Sequence, residues 1–423
     1  MGDTDIQKRV EEFRKNNVHL LHRNGLKVKR HALKSCGKLN FPSEVGETEC
    51  REAYYTRISL DMDPDVLFRF LTWAWKLPLP NVLLSIHGGA NTLLLKNNVI
   101  KRLKKGLLHA TISTGAWLLT GGTKSGVMKL VGEAFLEHTT KTGNLNKIVA
   151  LGIATWGAIA EKEKIIEAET LKTVCRLKDI TQVTKRTAPL DPNHTHFLFI
   201  DTGSKGTFGD EMKLRYNLEK HISKFKLKIN EEGATPEHVK IPIVKIIIGG
   251  GCRILNEIVR SMKDSIPVLV VDGSGRAANF ISRAIELNDN TATYHEQMTD
   301  YAKKFFGSKK QSKALRLLEA MKKTEYHKMI HVFSLDDTKR TLDSVIQDIL
   351  FQEFKGVKKT EMEQLVMEFD HVRLWKRPDM AEDEVFNVNM KKPLPLSRNI
   401  FKRIERDFSN FSTSSTSYRK CPI

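Results

Sequence analysis

Gly273-Ser274-Gly275-Arg276-Ala277-Ala278 has the form G-x-G-x-x-A and follows an apolar run, Val268 to Val271. A glycine turn between a strand and a helix brings backbone N–H groups close to an anion, and the helix start adds a favourable field. Arg276 could add a bidentate contact to phosphate; the alternative is a plain surface arginine. The acid that would bind a ribose stands at the strand end, Asp272, instead of about 20 residues downstream, so the pattern argues for phosphate without specifying a nicotinamide cofactor. A second stretch, Thr120-Gly121-Gly122-Thr123-Lys124-Ser125-Gly126, is not an NTPase phosphate loop, because Lys124 precedes the last glycine. It offers N–H groups and hydroxyls suited to a pyrophosphate; the alternative is a tight strand–helix turn. In Phe208-Gly209-Asp210-Glu211-Met212-Lys213-Leu214-Arg215, Phe208 could stack on a base and Arg215, two turns along, could reach a phosphate, with core packing the stronger alternative for Phe208.

These turns belong to a larger rhythm. Six apolar runs each end in glycines: NVLLSIHGGA (Gly88, Gly89), GAWLLTGGTKSG, KIVALGIATWG (Gly152, Gly157), THFLFIDTGSKGTFG (Asp201, then Gly203, Gly206, Gly209), VKIIIGGGCRILNEIV (Gly249, Gly250, Gly251) and PVLVVDGSGRAANFISRAI. Continuous apolar strands alternating with helical stretches predict an α/β fold, a Rossmann-like, doubly wound and mainly parallel sheet. Ligands of such sheets bind outside the carboxyl ends of the strands, where the glycines collect. The rhythm divides the chain into a basic, partly disordered arm (1–50), the Rossmann-like domain (51–290), a smaller helical domain (291–377) and an irregular tail (378–423). In the helical part, Leu315, Leu318 and Met321 form one amphipathic segment, and Leu342, Val345, Ile346, Ile349 and Leu350 fall on one helical face. TEMEQLVMEFDHVRLWKR is a third helical candidate.

Composition excludes several classes. Among 423 residues, no apolar run approaches the roughly 18–20 needed to cross a bilayer, and the N-terminus lacks the apolar core of a secretory signal. Five cysteines without a C-x-x-C pair suggest neither a disulfide framework nor a zinc site, and a reducing, cytosolic setting. His87, His194 and His196 lie near strand ends without metal-ligand spacing and read as structural. The net charge is +19, of which residues 1–40 carry +6 and residues 301–330 carry +7. Zinc-finger spacing, RNP-like strands and basic-zipper heptads are missing, so no specific nucleic acid is indicated; an anionic membrane surface or a polyanionic ligand also fits the charge.

Five blocks, TGAWLLTGGTKSGVMKLVGEAF, LGIATWG, LDPNHTHFLFIDTGSKGTFGDEMKLRYNLEKHIS, IPIVKIIIGGG and PVLVVDGSGRAANFI, agree in sequence and order with the cytosolic N-terminal homology region of the melastatin-type (TRPM) cation channels. The resemblance covers about residues 42–375 and is fainter after MIHVFSLDD. It implies a nucleotide-recognising domain of the SLOG class, which in ADP-ribose-gated members binds that nucleotide. Thr120, Gly121, Gly122, Thr123 and Gly126 would wrap the ligand. Arg215 matches a helix arginine that meets phosphate, Phe208 stands where responsive relatives have a tyrosine, and Gly273, Ser274, Gly275 and Arg276 match G-S-G-R. The fifth turn departs: E-G-G-P-G-T is replaced by Gly249-Gly250-Gly251-Cys252-Arg253-Ile254, where Arg253 could add a phosphate contact.

The resemblance implies a regulatory module without a pore in this chain, on the cytosolic face of a calcium-permeable channel. It would bind ADP-ribose or a similar nucleotide, carry no covalent cofactor, and assemble with other channel subunits, as a homotetramer at full length. The family continues into further helical repeats, six membrane spans and a coiled coil, so the resemblance implies the front portion of a larger protein, with a truncated isoform or a free-standing sensor as the alternatives. Two other classes remain. One is a phosphoribohydrolase-like enzyme, for which only Gly250, Gly251 and Glu257 match P-G-G-x-G-T-x-x-E. The other is a structural assembly domain with a vestigial pocket.

Overall fold

The computed structural model describes residues 3–17, 33–42, 51–89, 95–142, 148–178, 182–229, 237–287, 293–322 and 327–355. Helix α1 (Asp3–Asn17) precedes strands β1 (Leu33–Phe41) and β2 (Arg51–Ser59) and helix α2 (Pro64–Arg69). Four α/β steps follow: β3 (Leu83–Gly88) and α3 (Asn97–Thr114), β4 (Trp117–Thr120) and α4 (Gly126–Thr142), β5 (Val149–Thr155) and α5 (Lys162–Leu171), then, after the short β6 (Cys175–Arg176), β7 (His196–Asp201) and α6 (Met212–Lys224). A two-stranded ribbon of β8 (Lys226–Ile229) and β9 (Glu237–Lys240) leads into β10 (Ile243–Ile248), α7 (Cys252–Lys263), β11 (Val268–Asp272) and α8 (Arg276–Glu286). Helices α9 (Tyr294–Phe306) and α10 (Ser308–Lys322), strand β12 (Ile330–Ser334) and helix α11 (Leu342–Lys355) complete the described elements.

Ten strands form one sheet in the order β12-β11-β10-β3-β4-β5-β7-β2-β1-β6. All neighbours pair in parallel except β1 and β2. The chain steps outward from β3 through β4 and β5 to β7, then returns to the other side of β3 as β10. That is the order of the classic dinucleotide fold, and its switch point lies between β3 and β10. All six glycine-ended runs of the sequence are strands of this sheet. They are apolar on both faces because both are covered. On β10, Val244, Ile246 and Ile248 pack with residues of α3, α4 and α11. Ile247 packs with α7 and α8, and Ile243 joins Leu214, Leu218 and Ile222 of α6.

The sheet runs past the boundaries drawn from sequence. Residues 3–17 and 33–41, expected in a partly disordered arm, form α1, with Val10 and Phe13 buried, and β1, with Leu39 and Phe41 buried. β1 is held at the end of β7, where the Asp201 carboxylate accepts from Lys34 Nζ (2.8 Å) and Arg57 Nε (2.9 Å), and Arg57 lies over the Trp156 ring. Within the helical region 291–377, β12 pairs with β11 as a further strand of the sheet. The face drawn through Leu342, Val345, Ile346, Ile349 and Leu350 is α11's buried face. The segment around residues 360–377 and the tail 378–423 lie outside the described residues.

Candidate functional site

At the carboxyl edge the strands end in backbone that other residues cannot easily take. Gly122, Gly126, Gly203, Gly206, Gly209, Gly249, Gly250, Gly273 and Gly275 all have positive φ. Gly88 is needed for a different reason: a Cβ there would lie 2.3 Å from the Val127 side chain and 2.7 Å from the Ile248 carbonyl, across the switch point.

The β4 turn is laced from below. Thr120 is wholly buried; its hydroxyl contacts His194 Nε2 (2.7 Å) and accepts the Gly122 N–H (2.9 Å), while His194 Nδ1 lies 3.1 Å from Asp191 Oδ1. Asp191 N–H donates to the Gly122 carbonyl and Lys124 N–H to that of Pro189, so the 187–194 segment is strapped across the turn. A hydroxyl, an imidazole and a carboxylate stand in triad order. No acyl group can reach Thr120, however, so the arrangement holds the turn and does not present a nucleophile. Thr123 and Ser125 are also buried and contact each other (2.9 Å). The turn's partly exposed members are Gly121, Lys124 and Gly126.

Arg215 lies beneath this edge. It is 3 % exposed and donates from Nε to Glu219 Oε1 (3.0 Å) and from Nη2 to Ser85 Oγ (2.8 Å), the Ile86 carbonyl (2.9 Å) and the Leu119 carbonyl (3.1 Å). It ties α6 to the ends of β3 and β4, in contrast to the phosphate contact expected from sequence. Glu219, wholly buried, also accepts from Ser85 Oγ (2.5 Å), and its Oε2 lies 2.8 Å from Lys245 Nζ, an ion contact without hydrogen-bond alignment. Burial alone would raise this carboxyl's pKa; the Lys245 charge, hydrogen bonding with His87 and the Arg215 charge hold it well below the usual glutamate range. Burial, then the Arg215 charge, push His87 down to about 3, so its ring is neutral at pH 7. Sequence reasoning passed over Lys245 and Glu219. A lysine inside the run Ile243–Ile248 and an acid four residues after Arg215 were the available signals.

Two remaining turns converge at the switch point. Gly249 N–H donates to Ser274 Oγ (2.8 Å), and Ala277 and Ala278 N–H donate to the Gly250 and Gly249 carbonyls (3.1 Å each). The first amides of α8 are therefore engaged by the neighbouring turn, and Ser274, which also bonds the Val271 carbonyl, is buried. The N-terminal amides of α7, at Cys252 and Arg253, have no acceptor among the described residues. Beside them, Arg276 Nη2 lies 3.8 Å from where a Gly251 Cβ would stand, on an exposed residue held at φ +43°. The exposed Arg253 reaches the other way and donates to the Phe208 carbonyl (2.6 Å). Phe208 itself is 39 % exposed, so it is not a core residue.

Gly250, Gly251, Gly273, Gly275 and Arg276 thus come together at the ends of β10 and β11, and Phe208 joins them through Arg253. Thr120, Gly122 and Thr123 are enclosed within the β4 turn, and Arg215 lies below it. Glu257, whose Oε1 accepts from Arg260 (3.1 Å), is buried within α7. Its pKa is raised, chiefly by burial. No cluster of three or more metal-ligating side chains exists among the described residues, and none of their helices is long and apolar enough to cross a membrane. A groove of about 680 Å³ lies elsewhere, lined by Phe13, Phe68, Arg69, Trp73 and Phe225. It has neither the glycine turns nor the paired arginines of the switch point.

The family model described as "SLOG in TRPM" matches residues 53–323. Among curated relatives, the chain is 30% identical over 368 residues to a transient receptor potential cation channel subfamily M member-like 2 of Nematostella vectensis, covering 84% of this chain and 23% of that one. It is 32% identical over 344 residues to subfamily M member 1 of Mus musculus (79% and 20%) and 31% identical over 364 residues to subfamily M member 7 of Rattus norvegicus (83% and 18%). The chain spans about a fifth of the length of these relatives. With the family's region lying over the sheet from β2 to α10, the chain belongs to the SLOG-in-TRPM family.

Proposed function

We propose that the chain is the nucleotide-sensing regulatory module of a TRPM-like, calcium-permeable cation channel, held at the cytosolic face of the membrane by the rest of the channel and its neighbouring subunits. Its ligand is ADP-ribose or a related nucleotide. The observation that carries this reading is the pairing at the switch point of the open α7 amides with the Arg276 guanidinium beside Gly251. A phosphate there would accept N–H bonds from Cys252 and Arg253 and a charge-assisted bond from Arg276. Gly121, Lys124 and Gly126 line the same carboxyl edge for the remainder of the nucleotide. Binding would order these turns and shift how α7 and α8 pack against α9 and α10, a regulatory and not a catalytic event. Glu257 supplies no general acid or base to that edge, being enclosed beside α6.

Calorimetry of the full 423-residue chain with ADP-ribose tests this reading. We expect saturable heat that Arg276→Gln weakens by roughly tenfold or more, the scale of one charge-assisted contact. Absence of heat from the unmutated chain with ADP-ribose, ADP and AMP would overturn it.

A further inference from the structure

The segment between β7 and α6, residues 202–211, crosses the carboxyl edge as an arch. Gly203, Gly206 and Gly209 give it positive φ at three places. It is stitched at one side by Gly206 N–H to the Gly157 carbonyl (2.9 Å) and by the Thr155 hydroxyl to Glu211, which also accepts the Gly209 N–H (3.0 Å). At the other side Arg253 Nη1 of α7 donates to the Phe208 carbonyl. Gly209 makes room for that guanidinium, since a Cβ there would lie 2.6 Å from Nη1. Asp210, whose carboxylate accepts from Ser204 (2.5 Å), Thr202 (3.0 Å) and Thr207 (3.1 Å), feels the Arg253 charge without pairing with it. A full cation is thus held by a neutral carbonyl two residues from Gly251, whose own position is flanked by Arg276.

We infer that Arg253 reads a second phosphate of the ligand, exchanging the Phe208 carbonyl for a phosphate oxygen, and so makes the site select a nucleoside diphosphate or its ester over a monophosphate. The exchange is favourable because a phosphate oxygen carries a full negative charge, so the guanidinium gains an ion pair where the carbonyl offers only a dipole. It also releases the α7 side of the arch, so the presence of two phosphates is passed to residues 202–211. This rests on the reading proposed above: Arg276 serves the phosphate at the α7 start, and Arg253 adds discrimination.

The test is calorimetry of the full chain with AMP, ADP and ADP-ribose, alongside hydrogen exchange of residues 202–211. Arg253→Gln should weaken ADP and ADP-ribose by roughly tenfold, a charge-assisted bond less the carbonyl bond it replaces. It should leave AMP within about twofold, the spread expected where no contact is lost. Arg276→Gln should weaken all three. ADP should speed exchange in the arch of the unmutated chain and AMP should not, whereas Arg253→Gln should show the faster exchange without ligand. Equal losses for AMP and ADP in Arg253→Gln, or an arch indifferent to both ADP and the substitution, would overturn the assignment to Arg253 while leaving nucleotide binding intact. Failure of all three nucleotides to bind the unmutated chain would overturn both.

Discussion

Glu219→Gln isolates the charge at the centre of the fold. The side chain is wholly buried, receives Arg215 Nε and Ser85 Oγ, and lies 2.8 Å from Lys245 Nζ. Glutamine keeps the size and an acceptor but removes the anion that faces two buried cations. His87, neutral at pH 7, supplies no compensation, and Glu257 lies near enough to act only through its field. Removing one partner of a buried ion pair costs about 3–5 kcal/mol, and we expect a loss in that range. Lys245→Met should behave differently. It removes the cation that lacks an aligned hydrogen bond, leaves Arg215 and Glu219 as a balanced pair, and puts an apolar chain between Ile243 and Ile247. Arg215 still pairs with the carboxylate and the desolvation cost of the buried ammonium disappears, so the loss should be smaller than that of Glu219→Gln. In the double variant, Lys245→Met should recover about 1–3 kcal/mol of the Glu219→Gln loss.

The assay is urea unfolding at pH 7, comparing midpoints at constant slope. The pH dependence supplies an independent reading. Glu219 has a folded-state pKa well below its ordinary 4.5, so the unfolded chain binds the proton first. Its stabilisation is therefore present above about pH 4.5 and is lost as pH falls from there toward the folded value. Glu219→Gln should flatten stability over that acid window and leave the slope between pH 6 and 8 unchanged. A Glu219→Gln chain within about 1 kcal/mol of the parent, or a Lys245→Met chain as unstable as Glu219→Gln, would refute the claim that this carboxylate neutralises the switch-point core.

Glu257→Gln should act with the opposite sign: its folded pKa is raised by burial, so the charge opposes folding above about pH 4.5, and the variant should gain stability at pH 7 and gain none near pH 4 in the same unfolding measurement. Thr120→Val removes the contact with His194 and the acceptor for Gly122 N–H, and should lower stability by about 1–3 kcal/mol in urea with a matching rise in amide exchange at Gly122. Gly132→Ala places a Cβ 2.0 Å from Asp191 Oδ1, on the rigid segment that straps the β4 turn, and should cost at least about 2 kcal/mol; relief by Asp191→Gly in the double variant would tie the loss to that contact.

The parts of the fold that sequence reasoning reached were those with continuous local signal. The runs behind β3, β4, β5, β7, β10 and β11 are apolar on both faces and end in glycine, so strand and turn were legible together. The α11 face was legible from five residues at helical spacing. The elements it missed have mixed surroundings. β1, with sequence LKSCGKLNF, buries little more than Leu39 and Phe41 and depends on pairing with β2 and on Lys34 meeting Asp201. β12 shows one buried residue in five and becomes a strand because β11 lies beside it. No pattern within either segment records those distant partners.

The site residues divide for a related physical reason. A glycine's role is written in its own backbone, so the strand-end glycines could be placed by sequence alone. An arginine's role depends on which distant groups its long side chain finds. Arg215 sits in the first turn of α6, and read along the chain it suits a phosphate. In the fold, Glu219 one turn later and two carbonyls below supply its acceptors, and its charge serves the core. Arg253 shows the converse. It stands where the family has a small, uncharged turn residue, and along the chain it reads only as a departure. In three dimensions it is the exposed cation that joins the start of α7 to the arch over the strand ends. The same turn that departs from the resemblance's acid and glycine–threonine pair gains a charge beside the start of α7, and on the reading proposed above that charge alters anion selectivity where the missing residues alone would weaken the site.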